Sequence, residues 1–291
     1  MPGTAQGRDN RCKYRADRVR QPGLNRRFEV WRRDMSRLLT LVAVLMLAGP
    51  PATAADLSAE QVRSVLAAAQ PGSIPDLSGK SLERLDLSGL DFKHARLTGV
   101  NLYGAKLVDA NLSGTDLSGA TLNLAWIMRA DFTGANLAGA SLQGLVVASG
   151  LEVSLAEAPK FKGANFAGAR IIARFSRFDL SGANFTDARL GADMTNQSMG
   201  LMRTDLSGAK LAGANFSGAD LGRALLSFAD LRGARFTGAN LTGADFAGAD
   251  LTGADLTKAV ATDADFGDAV LKDATGLDSV VGLDLTRRRG G

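Results

Sequence analysis

"TGANLTGADFAGADLTGADL", residues 237–256, returns to itself every five residues. Leu241, Phe246, Leu251 and Leu256 mark the beat. An Ala stands two places before each, an Asp or Asn one place before, and a Gly two places after the first three. A helix repeats every ~3.6 residues and a strand every ~2, so a period of five belongs to neither. Self-similarity at a fixed period points to an array of stacked units.

The same beat runs outward from this stretch. Fifteen repeats have their apolar centres from Leu77 to Val147. Phe161, Phe166 and Ile171 keep step, a four-residue step leads to Phe175, and Leu180, Phe185 and Leu190 follow. A third block of fifteen is expected from Leu201 to Leu271. With the apolar centre called i, 36 of the 37 centres are Leu, Phe, Ile or Val, and Ala261 is the exception. Position i−2 is Ala in 26, and position i−1 is Asp or Asn in 20. Phase held this long implies that i and i−2 point inward while i−1, i+1 and i+2 point outward. Gly at i+2 tolerates the backbone angles of a tight turn, and Asp or Asn at i−1 can bond nearby backbone N–H groups.

"ANLTG", "ADFAG" and "ADLTG" at 239–253 resemble the A-(D/N)-L-x-x motif of the pentapeptide-repeat family, and the likeness extends over about residues 75–275. The resemblance implies an all-β fold, a right-handed quadrilateral β-helix with four pentapeptides to a square coil. Coils spaced like neighbouring strands, at about 4.8 Å, would place residues 20 apart over one another. About nine such coils make a rod roughly 45 Å long. The solenoid is expected over residues 73–285, with an irregular insertion at 148–160 and breaks of register near 171–175 and 191–200.

A short helix is expected over 56–72 as a cap on the first coil. Ser58 and Gln61 have the spacing of a capping box, with Leu57 and Val62 as its hydrophobic staple. Pro71-Gly72 ends it. An uncapped end would expose an apolar cross-section and open strand edges. Val280, Val281 and Leu283 are expected to cover the other end, and residues 286–291 form a basic tail.

The chain before the helix reads as an address. Residues 35–55 combine Arg37, an apolar run from Leu38 to Ala48, and Ala52-Thr53-Ala54. That is the pattern of a bacterial secretory signal peptide, too short in its apolar run for a membrane span. Residues 1–34 are either a long basic n-region or sequence upstream of a true start at Met35. Residues 1–55 hold 11 basic and 4 acidic residues, whereas 56–291 hold 23 and 26. The basic whole-chain balance therefore describes the leader, not a nucleic-acid-binding domain. Periplasmic or secreted localisation is expected, with no transmembrane helix in the mature chain.

Little in the array suggests chemistry. The aspartates lie in structural rows rather than as a pair across a cleft. His94 is the only His and stands at an outward i+2, and Cys12 is the only Cys. No catalytic residue, metal site or cofactor is expected.

The outward positions change character in the irregular middle. Lys160, Arg170, Arg174 and Arg189 occupy i−1, Lys162 occupies i+1, and Arg177 and Arg203 occupy i+2. Residues 160–203 carry 7 basic against 3 acidic residues, between acidic flanks. Trp126 also stands outward at i−1. Surface drift explains charge clusters of this kind as readily as function does. A partner site is the sharper reading, because loops on a rigid scaffold collect binding residues. These eight residues are the candidate interaction set. The leading functional expectation is a non-enzymatic, exported structural or protein-interaction module. Its partner would be a protein or an anionic envelope surface rather than nucleic acid; nothing in the sequence sets an oligomeric state. A second reading follows the family's members that imitate DNA and bind topoisomerases. A third is a ligand-binding or enzymatic site in the irregular middle.

Overall fold

The computed structural model describes residues 55–69, 73–93, 95–149, 154–193 and 202–285, all within the compact unit Thr53–Gly291. In the regular coils the backbone forms, every five residues, one parallel bridge to the coil above and one to the coil below, at position i−1. Four ladders result. The first side runs from Asp76 through Asn136 and Asn184 to Thr275. The second runs from Ser81 through Arg170 and Arg189 to Val281. The third runs in two parts, from Asp86 through Trp126 to Val146 and from Arg174 through Leu225 to Asp265. The fourth does likewise, from Asp91 to Lys160 and from Asp179 through Asp230 to Val270. Among the described residues the only runs long enough to be strands are β1 (Ser141–Gln143) and β2 (Arg170–Ile172), neighbours on the second side.

The alternation of small and large inward residues explains the packing. Centres from Leu82 to Leu256 and alanines from Ala105 to Ala259 are buried in one continuous cluster. Each buried Leu or Phe contributes roughly 1.5–3 kcal/mol gross, offset by an ordering cost of about 1–2 kcal/mol per residue. Phe166, Phe185, Phe216 and Phe236 stack coil on coil behind the first side, with centroids 4.9, 4.7 and 5.1 Å apart and planes within 4°.

All twenty Asp and Asn residues at i−1 do the same local work. Each accepts a hydrogen bond at Oδ1 from the backbone N–H of i+1, as Asp76 does from Ser78, Asn165 from Ala167 and Asp255 from Thr257. The expectation of structural aspartates is met in this geometry.

Helix α1 (Ala59–Ala67) precedes the first coil. Its capping box is formed: Ser58 Oγ accepts from Gln61 N–H, and Gln61 Oε1 accepts from Ser58 N–H. Val62 is fully buried in the solenoid's own cluster, and Leu57 and Leu66 pack on it. Asp56 ties the approach to the second side, donating to Ser81 O and accepting from Ser81 N–H. At the far end Val280 and Leu283 pack on the core, but Val281 is 58% exposed and contributes a backbone bridge to Val260 instead.

Among the described residues, the parallel bridges of the third block begin at Asp205, with Leu206 the first regular centre. Met202, next to the expected centre Leu201, is instead bridged antiparallel to Asp193. Leu201 itself lies outside the described residues, as do the signal-like 35–54, His94, Pro71-Gly72 and the tail 286–291.

Candidate interaction surface

Ladder spacing locates the irregularities. Partners are 20 residues apart in the first coils (Asp76 to Arg96), 29 across the first insertion (Asp131 to Lys160), 19 across the short step (Arg170 to Arg189) and 31 across the second insertion (Asp179 to Lys210). The first insertion therefore adds nine residues, the step removes one and the second insertion adds eleven. The first insertion leaves the end of the third side in the fourth coil. The short step joins the second side to the third in the fifth coil. The second insertion joins the same two sides in the sixth. All three border the third side.

Both excursions have closed necks. Glu157 accepts from Ser149 N–H (3.0 Å) and Ser149 Oγ (2.7 Å), and its carbonyl takes the N–H of Arg129. The two bonds from Ser149 hold the Glu157 carboxyl below its ordinary range. The second neck is the Asp193–Met202 pair, where Asp193 N–H donates to Met202 O (3.0 Å).

Between them lies a cavity of about 460 Å³, lined by Gly144, Leu145, Ile172, Ala173, Arg174, Met202, Arg203 and Asp205. The step that is one residue short brings Ile172 and Ala173 to its floor. Asp205 is held by Ser176 Oγ and the N–H of Ser207. Arg203 is on the returning arm of the second excursion, not on a regular i+2 corner.

The eight candidate residues do not form one patch. Lys160 and Lys162 face outward on the fourth side, where charge alternates. Lys160 pairs with Asp131 at 3.2 Å. Burial would raise the Asp131 carboxyl, but Thr133's hydrogen bonds and Lys160 outweigh it and bring it below its ordinary value. Asp179 behaves alike: burial opposes, and hydrogen bonds from Ser181 with the charges of Lys210 and Lys162 prevail. Arg177 takes the corner between the third and fourth sides with a left-handed backbone (φ 65). Arg174 and Arg203 line the cavity on the third side. Trp126 is on the same side, 41% exposed.

Arg170 and Arg189 are the pair that sequence spacing conceals. They are 19 residues apart, and the missing residue makes them direct neighbours in the second ladder. Arg96 stands over Asp76 at 3.4 Å and Lys106 over Asp86 at 3.8 Å, whereas Arg170 and Arg189 stand over each other and Arg189 has a carboxylate, Asp220, only as its other ladder neighbour. Among the described residues no ion pair serves Arg170 or Arg189. Each also forgoes the side-chain acceptor that Asp or Asn provides at i−1, worth about 1 kcal/mol, and like charges directly opposite are destabilising. Among the described residues there is no cluster of three His, Cys, Asp or Glu side chains that could hold a metal, and no helix long and apolar enough to cross a membrane.

The family model for pentapeptide repeats matches eight copies, over 76–104, 86–123, 105–144, 201–238 and 239–275. This chain is a pentapeptide-repeat protein. The family fold is the right-handed β-helix, in keeping with the parallel ladders. Among solved structures it is similar to HetL of Nostoc sp. strain PCC 7120, a pentapeptide repeat protein involved in heterocyst differentiation regulation: 27% identity over 74% of this chain and 92% of that one, TM-score 0.29. A pentapeptide repeat protein of the Arabidopsis thaliana thylakoid lumen shares 33% identity over 39% of this chain and 69% of its own, TM-score 0.20. Full-length QnrB1, a plasmid-mediated fluoroquinolone resistance protein, shares 19% over 69% and 90%, TM-score 0.27. No curated protein sequence matches. The family model leaves out 145–200, the segment that contains the first insertion and the short step.

Proposed function

We propose that this pentapeptide-repeat protein is an exported, non-enzymatic interaction module, a quadrilateral solenoid capped by α1 that presents a basic corner to a partner in the bacterial envelope. The observation that carries the reading is the unpaired Arg170–Arg189 neighbour pair beside the cavity, a choice that costs stability where Asp or Asn would add to it. Export rests on the signal-like segment 35–55. The DNA-imitating alternative is disfavoured by the same basic corner, and an enzymatic alternative lacks a paired acid and base among the described residues. Replacing Arg170, Arg174 and Arg189, with Arg177 across the third side, together by Ser tests this basic surface. The folded quadruple variant should lose salt-sensitive partners in pull-downs from envelope extract, and retention of every specific partner would refute it. Mass spectrometry of the native protein should find a terminus near residue 55; an intact Met1 or Met35 on the soluble protein would refute export.

A further inference from the structure

At each corner the i+2 residue takes a left-handed backbone, and Gly is the usual choice. Twelve described residues other than Gly take it, and ten of them are Asp, Arg or Lys. The other two, Leu124 (φ 58) and Phe228 (φ 58), are apolar. A bulky residue in this region costs about 1–3 kcal/mol. Burial does not repay it, since Leu124 is 46% and Phe228 76% exposed. Both lean over a glycine of the next coil, where a Cβ would meet them: Leu124 over Gly144, Phe228 over Gly248. Both also flank one side. Leu124 is where the second side turns into the third, and Phe228 is where the third turns into the fourth.

Most other exposed apolar residues of the coils follow the same geography. Leu124, Trp126, Leu155, Met202 and Phe228 are each on the third side, on one of its corners, or on one of the two excursions that border it. The other large exposed hydrophobics among the described residues are at the two ends of the array, including Val270 on the fourth side of the last coil. Arg174, Arg177 and Arg203 lie between the anchors. Trp126 is in the third coil and Phe228 in the seventh, so they are separated by roughly 19 Å, four strand spacings. That is the reach of about six extended residues or about thirteen helical ones.

We propose that the third side is a docking face for a segment of another protein, one that carries carboxylates between apolar anchors; the proposal rests on the interaction-module reading above. Exposed aromatic residues are the usual energetic anchors of protein interfaces, and the arginines select acidic partners and set register. Glu157 and Asp205 stand among the arginines of this face, and Asp109 is paired with Arg129 at 2.6 Å. Charges of both signs along one side suit a polypeptide, which can place an opposite charge at each, better than a uniformly anionic bilayer.

The test uses the full chain and a random peptide library displayed on phage, with the best enriched peptide then synthesised and titrated calorimetrically. Enriched peptides should combine Asp or Glu with apolar residues. Phe228→Gly and Trp126→Ser should each weaken binding by about tenfold or more, the equivalent of about 1.4 kcal/mol. Phe228→Gly should melt at or above the wild-type temperature, because it removes backbone strain. Full affinity in both folded variants would overturn the docking face while leaving an interaction module elsewhere on the rod. Failure to enrich any peptide would overturn both. Two further results would each overturn the proposal: binding to phosphatidylglycerol vesicles but to no peptide, and self-association of the chain that Phe228→Gly abolishes. A fall of several degrees in the melting point of Phe228→Gly would also overturn it, by making Phe228 structural.

Discussion

On the first side, Asn136, Asn165 and Asn184 pass one amide hydrogen bond from coil to coil, each donated by Nδ2 to the coil below at 3.0, 2.9 and 2.9 Å. Behind them four phenyl rings lie flat on one another. The third side, built from the same pentapeptide, repeats nothing of the kind: Trp126 and Val146 are bridged, then Arg174, Asp205 and Leu225, with no bridge joining the two runs. One side gains from translation, because a residue that satisfies its neighbour can be copied indefinitely. The other gives that up, and it is where the excursions, the cavity and the exposed apolar residues gather. Regular sides hold the rod, and an irregular side is left free to meet something else.

The largest expected effect tests the regular side. Phe185→Ala removes the middle of the ring stack and should cost about 3–5 kcal/mol, read as a large drop in the midpoint of thermal or urea unfolding. If Phe185→Ala and the exposed Phe228→Gly shift the midpoint equally, the contrast between the sides is wrong. Next in size, Asn184→Ala breaks both its bond to Asn165 and its turn bond from Thr186 N–H. It should cost about 1–2 kcal/mol without changing the denaturant slope. A smaller effect of opposite sign is expected on the second side: Arg189→Asn restores the turn acceptor and removes the like-charge contact, so it should stabilise by up to about 1 kcal/mol. A lower melting temperature for that variant would undo the claim that Arg189 is costly.

Smallest and most gradual is the response to acid. Asp76 and Asp86 have carboxyls below the ordinary 3.8, chiefly through the adjoining Ser78 and Ser88, whose backbone N–H groups donate to them. A group lowered in the folded state favours folding fully above its unfolded value, and the gain fades as pH falls through the folded value. The melting temperature should be level above pH about 5 and decline below about 4. A decline that begins near neutrality would point to another group.

Most of the fold was legible because the inward positions are a matter of counting: Leu241 and Ala239 are apolar in phase, and they are buried. The cap was legible from Ser58 and Gln61, three residues apart. Counting placed the start of the third block at Leu201 because Met199 and Leu201 have the i−2 and i spacing of a repeat, whereas among the described residues the parallel ladder resumes at Asp205. The candidate site was legible only as a composition. Net charge along 160–203 merges residues that the coil distributes over different sides, so Lys160 and Lys162 were grouped with arginines they do not adjoin. Arg170 and Arg189 became neighbours only once a single residue was seen to be missing from their coil, and Phe228 stood out only once its backbone angle was known.

The closed necks at Ser149–Glu157 and Asp193–Met202 have a consequence for how such a chain can change over generations. Insertion or deletion beyond a neck alters the length of an excursion but not the sequence phase of any later core position. Val260 stays under Val281, and Phe246 under Phe266, however many residues are added between Ser149 and Glu157. A frame-preserving indel there is invisible to the core, whereas the same event in the middle of a side would turn every following residue of that side inside out. The necks thus separate two rates of divergence within one domain, fast where it meets the outside and slow where it holds itself together.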